Sequence, residues 1–299
     1  LADLEREDLE TAGAAGDPGL ARRVGQSLGR DLRLLGFNMN FAPVLDVASN
    51  PNNPVIGIRS FGSSPRAVGD LGAAYAQGLQ SEGILAVAKH FPGHGDTDSD
   101  SHYHLPVLAH DKARLDEVEL YPFARAFAEG LDAIMTAHIA LPALTDSGDL
   151  PATVSERVLT RLLREELGYD GLVITDGLEM QGIVQRFGSG EAAVRAVLAG
   201  ADMVMVLWYP EKKREVRDAL TTAVQSGRIP AWRLDQAVRR VLVAKARRGL
   251  FSTELLPVAA AMRELEHAPR GVVSEVARRA ITIVKNDGAV LPLRKGQVV

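Results

Sequence analysis

Residues Gly83–Pro106 read GILAVAKHFPGHGDTDSDSHYHLP, an apolar run that breaks abruptly into Pro, Gly, Asp, Ser and His. Gly83–Ala88 has the length and composition of a short buried strand. The polar half of the stretch can continue neither a strand nor a helix. Four of the chain's seven histidines, His90, His94, His102 and His104, fall in this stretch. A rigid strand opening into a polar loop is an arrangement that carries function.

The same pattern repeats outward from this point. Upstream, Asp17-Pro18 starts a helix over Gly19–Leu35, closed by Gly36, and Phe37–Val47 reads as a strand running into the loop Ala48–Pro65. A helix over Pro65–Gly83 leads into the central strand. Downstream, a helix over Lys112–Gly130 precedes the strand Asp132–Ala137, which ends at His138. A helix over Ser155–Leu167 then precedes the strand in Gly168–Thr175, which ends at Asp176. A helix over Gly190–Ala199, a strand over Asp202–Leu207 and helices over Glu211–Ser226 and Ala231–Arg248 complete the pattern.

Strand and helix alternate five times, which predicts a parallel α/β architecture. The polar residues gather just after the strands' carboxyl ends, the functional edge of both a (β/α)8 TIM-type barrel and a doubly wound sheet. No glycine-rich phosphate fingerprint opens a helix, which argues against nucleotide binding. A barrel needs eight strands. The reading is therefore a (β/α)8 barrel lacking its first three βα units, which are expected before residue 1. The expected domains are the barrel over 1–249, a linker and helix over 250–280 (the linker being Leu250–Arg270), and the beginning of a second α/β domain over 281–299.

An apolar content of 46% supplies a substantial core. A formal net charge of −4 gives no reason to expect nucleic acid or an anionic membrane as partner. No apolar run is long enough to cross a bilayer. The absence of cysteine excludes disulfides, thiolate metal sites and a cysteine nucleophile. The opening LADLEREDLE is no signal peptide, and a start at Leu rather than Met leads us to expect an upstream segment. Localisation stays open between cytoplasm and, with an upstream signal, secretion or the cell surface.

Asp176, at the end of an apolar strand, suits a nucleophile, a general base, a metal ligand or simply a helix N-cap. His102 comes two residues after Asp100, a spacing that lets the carboxylate bond one ring nitrogen and raise the basicity of the other. Arg59 and the pair Lys89-His90 suit a hydroxylated or anionic ligand, or salt bridges at the rim. His94, flanked by Gly93 and Gly95, suits a structural tie, and Met180 and Phe187 suit packing. Two chemistries are compatible with this set. One is covalent glycosyl transfer with Asp176 as nucleophile and His102 as acid/base. The other is a metal-dependent hydrolase with zinc held among His102, His104, Lys89, His138 and Asp176. A third reading is an inactive or merely carbohydrate-binding remnant.

Seven motifs in order carry a resemblance: NFAPVLDV at 40–47, NPVIGIRSFG at 53–62, KHFPGHGDT at 89–97, DSH at 100–102, MTAHI at 135–139, PATVS at 151–155 and VITDGLEM at 173–180. Over about 11–293 the chain resembles glycoside hydrolase family 3, and within it the β-N-acetylglucosaminidases (β-N-acetylhexosaminidases) with a histidine acid/base. The resemblance implies Asp176 as nucleophile and His102, paired with Asp100 on a mobile loop, as acid/base. It implies Arg59, Lys89 and His90 as sugar-binding residues, and no metal or other cofactor. The implied substrate is a non-reducing terminal β-linked N-acetylglucosamine, as in cell-wall muropeptides or chitin oligosaccharides, hydrolysed with retention. A β-N-acetylglucosaminide phosphorylase and a β-glucosidase are the alternatives within the family. The Asp-Gln-Glu-Gly-Gly motif of the family's upstream strand is absent, in keeping with the count of five strands. ITIVKNDGAVLPL, at 281–293, resembles the start of the second domain of longer members.

Overall fold

The computed structural model describes residues 11–145, 147–252, 256–286 and 291–292. Five strands, β1 (Met39–Asn40), β2 (Leu85–Phe91), β3 (Ala133–Thr136), β4 (Leu172–Gly177) and β5 (Met203–Met205), lie side by side in the order β1-β2-β3-β4-β5. Every pairing is parallel. A doubly wound sheet reverses its strand order at a switch point; this sheet does not, and it forms the arc of a half-barrel.

The main helices among the described residues are α1 (Pro18–Leu34), α2 (Pro65–Ser81), α3 (Tyr121–Ala128), α4 (Arg157–Glu166, wound as a wider π-helix), α5 (Gln181–Ala199), α6 (Pro210–Gln225), α7 (Ala231–Arg247), α8 (Val258–Glu266) and α9 (Gly271–Arg279). Asp17 caps α1 by accepting from the N–H groups of Gly19 and Leu20 at 2.8 and 3.2 Å, and Ser64 caps α2 in the same way through Ala67. Ala86, Ala88, Ile134 and Val173 point outward from the sheet into the main core with the helices. The alternate residues Leu85, Val87, Ala133, Met135, Leu172 and Ile174 form a second, smaller cluster on the inner face. Val241 and Ala244 of α7 pack against that cluster.

Helix α7 is fixed at the amino ends of the strands. Arg240 bonds Asp170 at 3.1 Å and Asp202 at 3.2 Å, Arg248 pairs with Asp132, and Arg164 of α4 reaches Asp202 at 2.8 Å. These aspartates stand just before β4, β5 and β3. Charge at this edge is therefore neutralised in structural pairs, and the carboxyl edge is left for chemistry.

Several boundaries differ from the sequence reading. Pro43 cannot donate to a ladder, so Phe37–Val47 pairs regularly only over β1. Strand β2 continues through Lys89, His90 and Phe91 instead of ending at Ala88, because Lys89 donates its N–H to the Pro43 carbonyl and accepts from the Leu45 N–H of the neighbouring segment. The helix expected over Lys112–Gly130 is three pieces: Lys112–Arg114 capped by Asp111, a wide turn over Leu115–Glu119, and α3. Pro122 supplies no N–H there, which breaks the continuous ladder. Helix α5 begins at Gln181, well before Gly190, and is interrupted at Gly188 with φ 69°. The expected linker contains α8, which buries Ala261. Residues 281–286 carry no regular element, and the rest of 281–299 lies outside the described residues apart from 291–292.

Candidate active site

The inner-face rows of the sheet end in charge. Leu85 and Val87 are succeeded at the same spacing by Lys89, and Leu172 and Ile174 by Asp176. The side chains that pack apolar inside the arc thus give way to a cation and a carboxylate at its carboxyl edge. Together with Arg59, His90, His94, Ser101, His102, Phe41, Met135 and Leu207, they line one cleft. Five of the six residues singled out from sequence therefore meet there, and Asp100 reaches it through His102.

Asp46, at the end of the segment after β1, organises the corner. It is fully buried and accepts from His90 Nδ1 at 2.7 Å, from the His94 N–H at 2.6 Å and from the His90 N–H at 3.2 Å. Burial pushes its carboxyl up, but the field and hydrogen bonds of His90 and the His94 N–H more than offset this and hold it below the usual value. An ionised carboxylate only accepts, so His90 carries its proton on Nδ1 and keeps Nε2 for the cleft. Sequence reasoning gave Asp46 no role. The signal was the one used for Asp176, a carboxylate at a strand's carboxyl end.

His94 ties the loop to itself. Its Nδ1 meets Thr97 Oγ1 at 2.7 Å and its Nε2 meets Ser101 Oγ at 3.0 Å. Burial and the neighbouring His90 lower its pKa, so the ring is neutral. Thr97 spends its hydroxyl proton on the His94 carbonyl, so Nδ1 donates and Nε2 accepts from Ser101. Across the loop, Asn53 donates to the His94 and Gly95 carbonyls at 2.9 and 3.1 Å.

His102 lies beyond this tie. Its Nδ1 is 2.7 Å and its backbone N–H 2.8 Å from Asp100 Oδ1. Burial raises the Asp100 carboxyl, but the two His102 bonds outweigh it and keep the group ionised. Nδ1 therefore donates, and Nε2 is the atom that can take up or release a proton at the cleft. The backbone around His102 is docked on the start of α5: Gln181 N–H bonds the His102 carbonyl at 3.2 Å and Gly182 N–H the Ser101 carbonyl at 3.1 Å. Unpaired N–H groups at a helix start thus hold the loop beside β4.

Asp176 stands opposite. Its Oδ1 accepts from Gly177 N–H at 2.7 Å. Burial raises its carboxyl, and His90, His138, the Gly177 N–H and Lys89 together lower it further than burial raises it. It does not cap α5, whose N-cap is Met180, so the helix-cap alternative is removed. His138 is fully buried, with Nε2 on the Gly177 carbonyl at 3.0 Å and Nδ1 on Thr153 Oγ1 at 2.8 Å. It braces the strand that carries Asp176. Burial depresses its pKa.

The zinc set considered from sequence does not assemble. Both nitrogens of His138 are used inside the protein, and His104 is exposed and outside the cleft. No helix among the described residues is long and apolar enough to cross a membrane.

A family model described as the glycosyl hydrolase family 3 N-terminal domain matches residues 9–244. The chain is 38% identical over 298 residues to β-hexosaminidase A of Pseudoalteromonas piscicida, covering 93% of this chain and 49% of that protein. The solved glycoside hydrolase family 3 β-N-acetylglucosaminidase of Paenibacillus sp. str. FPU-7 superposes with a TM-score of 0.87 at 44% identity, over 93% of this chain and 53% of that one. A β-glucoside phosphorylase superposes equally well, with a TM-score of 0.87 at 27% identity, over 96% and 53%. The chain thus spans about half the length of the relatives it matches.

Proposed function

The chain belongs to glycosyl hydrolase family 3, over that family's N-terminal domain. From that premise we propose that it forms the catalytic part of an enzyme that removes non-reducing terminal β-linked N-acetylglucosamine by a retaining double displacement. One observation carries the reading: an ionised carboxylate and a carboxylate-paired imidazole face the same cleft from neighbouring parts of the rim.

In the first step the Asp176 carboxylate attacks the anomeric carbon while His102, protonated on Nε2, gives that proton to the departing glycosidic oxygen. In the second step His102 Nε2 takes a proton from water, and the water oxygen displaces Asp176 from the same carbon. Two inversions restore the β configuration. Asp100 stabilises the imidazolium without taking its proton, because its own pKa is held low. Arg59 and Lys89 present donors to the sugar's hydroxyl and acetamido groups, and His90 presents Nε2 as an acceptor for a hydroxyl. His90 is preoriented by Asp46.

The same geometry admits a second acceptor. A neutral imidazole base does not repel an anion, and Arg59 and Lys89 favour one, so phosphate could replace water. The likeness to a β-glucoside phosphorylase supports this variant.

We read the five strands as the later part of an eight-stranded barrel, with β1 as its fourth strand. Among the described residues the sheet has β1 and β5 at its edges, and α7 packs against its inner apolar face. Residues 1–249 are then the barrel portion, 250–280 a helical connection and 281–299 the approach to a second domain.

The test is turnover of an aryl β-N-acetylglucosaminide and the matching β-glucoside, each with and without phosphate, with the first-formed anomer identified by NMR. Hydrolysis of the N-acetyl sugar with retention is expected. Asp176→Asn is expected to lose at least about a thousandfold in kcat with an unchanged circular dichroism spectrum. Inversion, or full activity in Asp176→Asn, overturns the assignment.

A further inference from the structure

One ionisable cluster lies outside the cleft and has no part in the glycosyl transfer. Asp96 sits in the loop between His94 and His102, and His110 and Glu119 close over it from the chain downstream. His110 Nε2 lies 2.5 Å from Asp96 Oδ2, and a ligand atom from each of the three residues lies within 4.8 Å of the others. None of the three lines the cleft.

A second observation points to a ligand there. The Glu119 side chain is only 3% exposed, and its Oε2 has no hydrogen-bond partner among the described residues. Its other oxygen is bonded to Arg114 at 3.1 Å. A buried carboxylate oxygen left unpaired is costly, and a cation would satisfy it. Two carboxylates, Asp96 and Glu119, stand against the single guanidinium of Arg114, so acidic groups outnumber the fixed cation and favour a divalent ion. Ser49 Oγ, 2.7 Å from Asp96 Oδ1, orients that carboxylate from behind. His110 is one-third exposed, which gives an ion a route from solvent.

We propose that Asp96, His110 and Glu119 form a Zn2+-binding site at the root of the loop that carries His102. One imidazole and two carboxylates, with solvent in the fourth position, are a donor set that zinc accepts. Zinc bonds of about 2.0–2.2 Å place tetrahedral ligands roughly 3.4 Å apart, so the His110–Asp96 pair, at 2.5 Å, would open by about an ångström and no pair would close by more than about 1.4 Å. The ion would tie Asp96, inside the loop, to His110 and Glu119 outside it.

Zinc binding to the 299-residue chain is measured by calorimetry and by metal analysis after dialysis. One zinc per chain is expected. Binding should weaken by more than about tenfold in His110→Gln and Glu119→Gln, and stay unchanged in His102→Ala and Asp176→Asn. A second readout needs no substitution: bound zinc should protect His110 of the unaltered chain from carbethoxylation by diethyl pyrocarbonate. Absence of stoichiometric binding, or full labelling of His110 at saturating zinc, overturns the site. So does binding that survives His110→Gln and is lost in His102→Ala, which would put the ion in the cleft.

Discussion

His102 and His90 show one device used twice. Each imidazole donates a hydrogen bond from Nδ1–H to an ionised aspartate, Asp100 or Asp46, and keeps Nε2 for the cleft. The two pairs differ in burial: His102 is exposed, while the Asp46–His90 pair is closed off from solvent. An exposed imidazole can exchange its proton with substrate and water; a buried one serves as a fixed contact. His102→Ala should therefore slow substrates with poor leaving groups by roughly 10²–10⁴-fold and activated aryl glycosides far less, a contrast read from kcat across a leaving-group series. Equal losses would count against the acid role. Asp46→Ala should behave differently, leaving the buried donors of His90 and His94 unpaired. A loss of about 3–5 kcal/mol in urea denaturation is expected. Asp100-Ser-His102 was legible because two residues of spacing suffice to form that pair. The Asp46–His90 pair was not, because its members are joined only across adjacent strands.

At the scale of elements, the His102 loop is held on three sides. Asn53 grips its carbonyls, the His94 ring closes it internally, and the start of α5 receives its far end. Gly95 lies where this loop crosses the β1–α2 connection, and a Cβ on it would come within 1.8 Å of the Val47 carbonyl oxygen. Gly95→Ala should push the loop off its seat at a cost of about 1–3 kcal/mol or more. The expected signature is a drop in kcat with secondary structure retained by circular dichroism; wild-type kcat would show the loop does not depend on this crossing. The missed start of α5 has a physical reason. Gly182 and Gly188 interrupt the helical pattern in sequence, and the first turn is stabilised by the carbonyls of a loop far upstream, which no local window contains.

For the whole molecule, the half-barrel separates its two edges by charge. Arginines of α4 and α7 neutralise the aspartates at the amino edge, while the carboxyl edge concentrates histidines. His94 and His138 are buried neutral, with pKa values below the ordinary 6.5. Between their folded values and 6.5 the unfolded chain binds more protons than the folded one. Their contribution to stability is therefore complete above pH 6.5 and is lost as the pH falls through the window below it. A second loss is expected below 3.8, where Asp46, Asp100 and Asp176 share the same sign. Urea midpoints measured from pH 7.5 downward should begin to fall near 6.5, with a shallower fall in His138→Gln. A flat profile down to pH 4.5 would refute the assignment of neutral buried rings.

The sequence by itself determined the parallel α/β class, the edge on which the polar residues gather, the place of Asp176 at a strand's end and the pairing of Asp100 with His102. Each of these depends on local periodicity, on a strand's end or on a two-residue spacing, which short-range sterics and hydrogen bonding fix. Only the tertiary structure decided the strand order that makes the sheet a barrel arc, the burial of Asp46 beneath His90, and the docking of the His102 loop on α5. Those depend on contacts between residues dozens of positions apart. Packing and the satisfaction of buried polar groups choose such contacts, and no sequence window contains both partners.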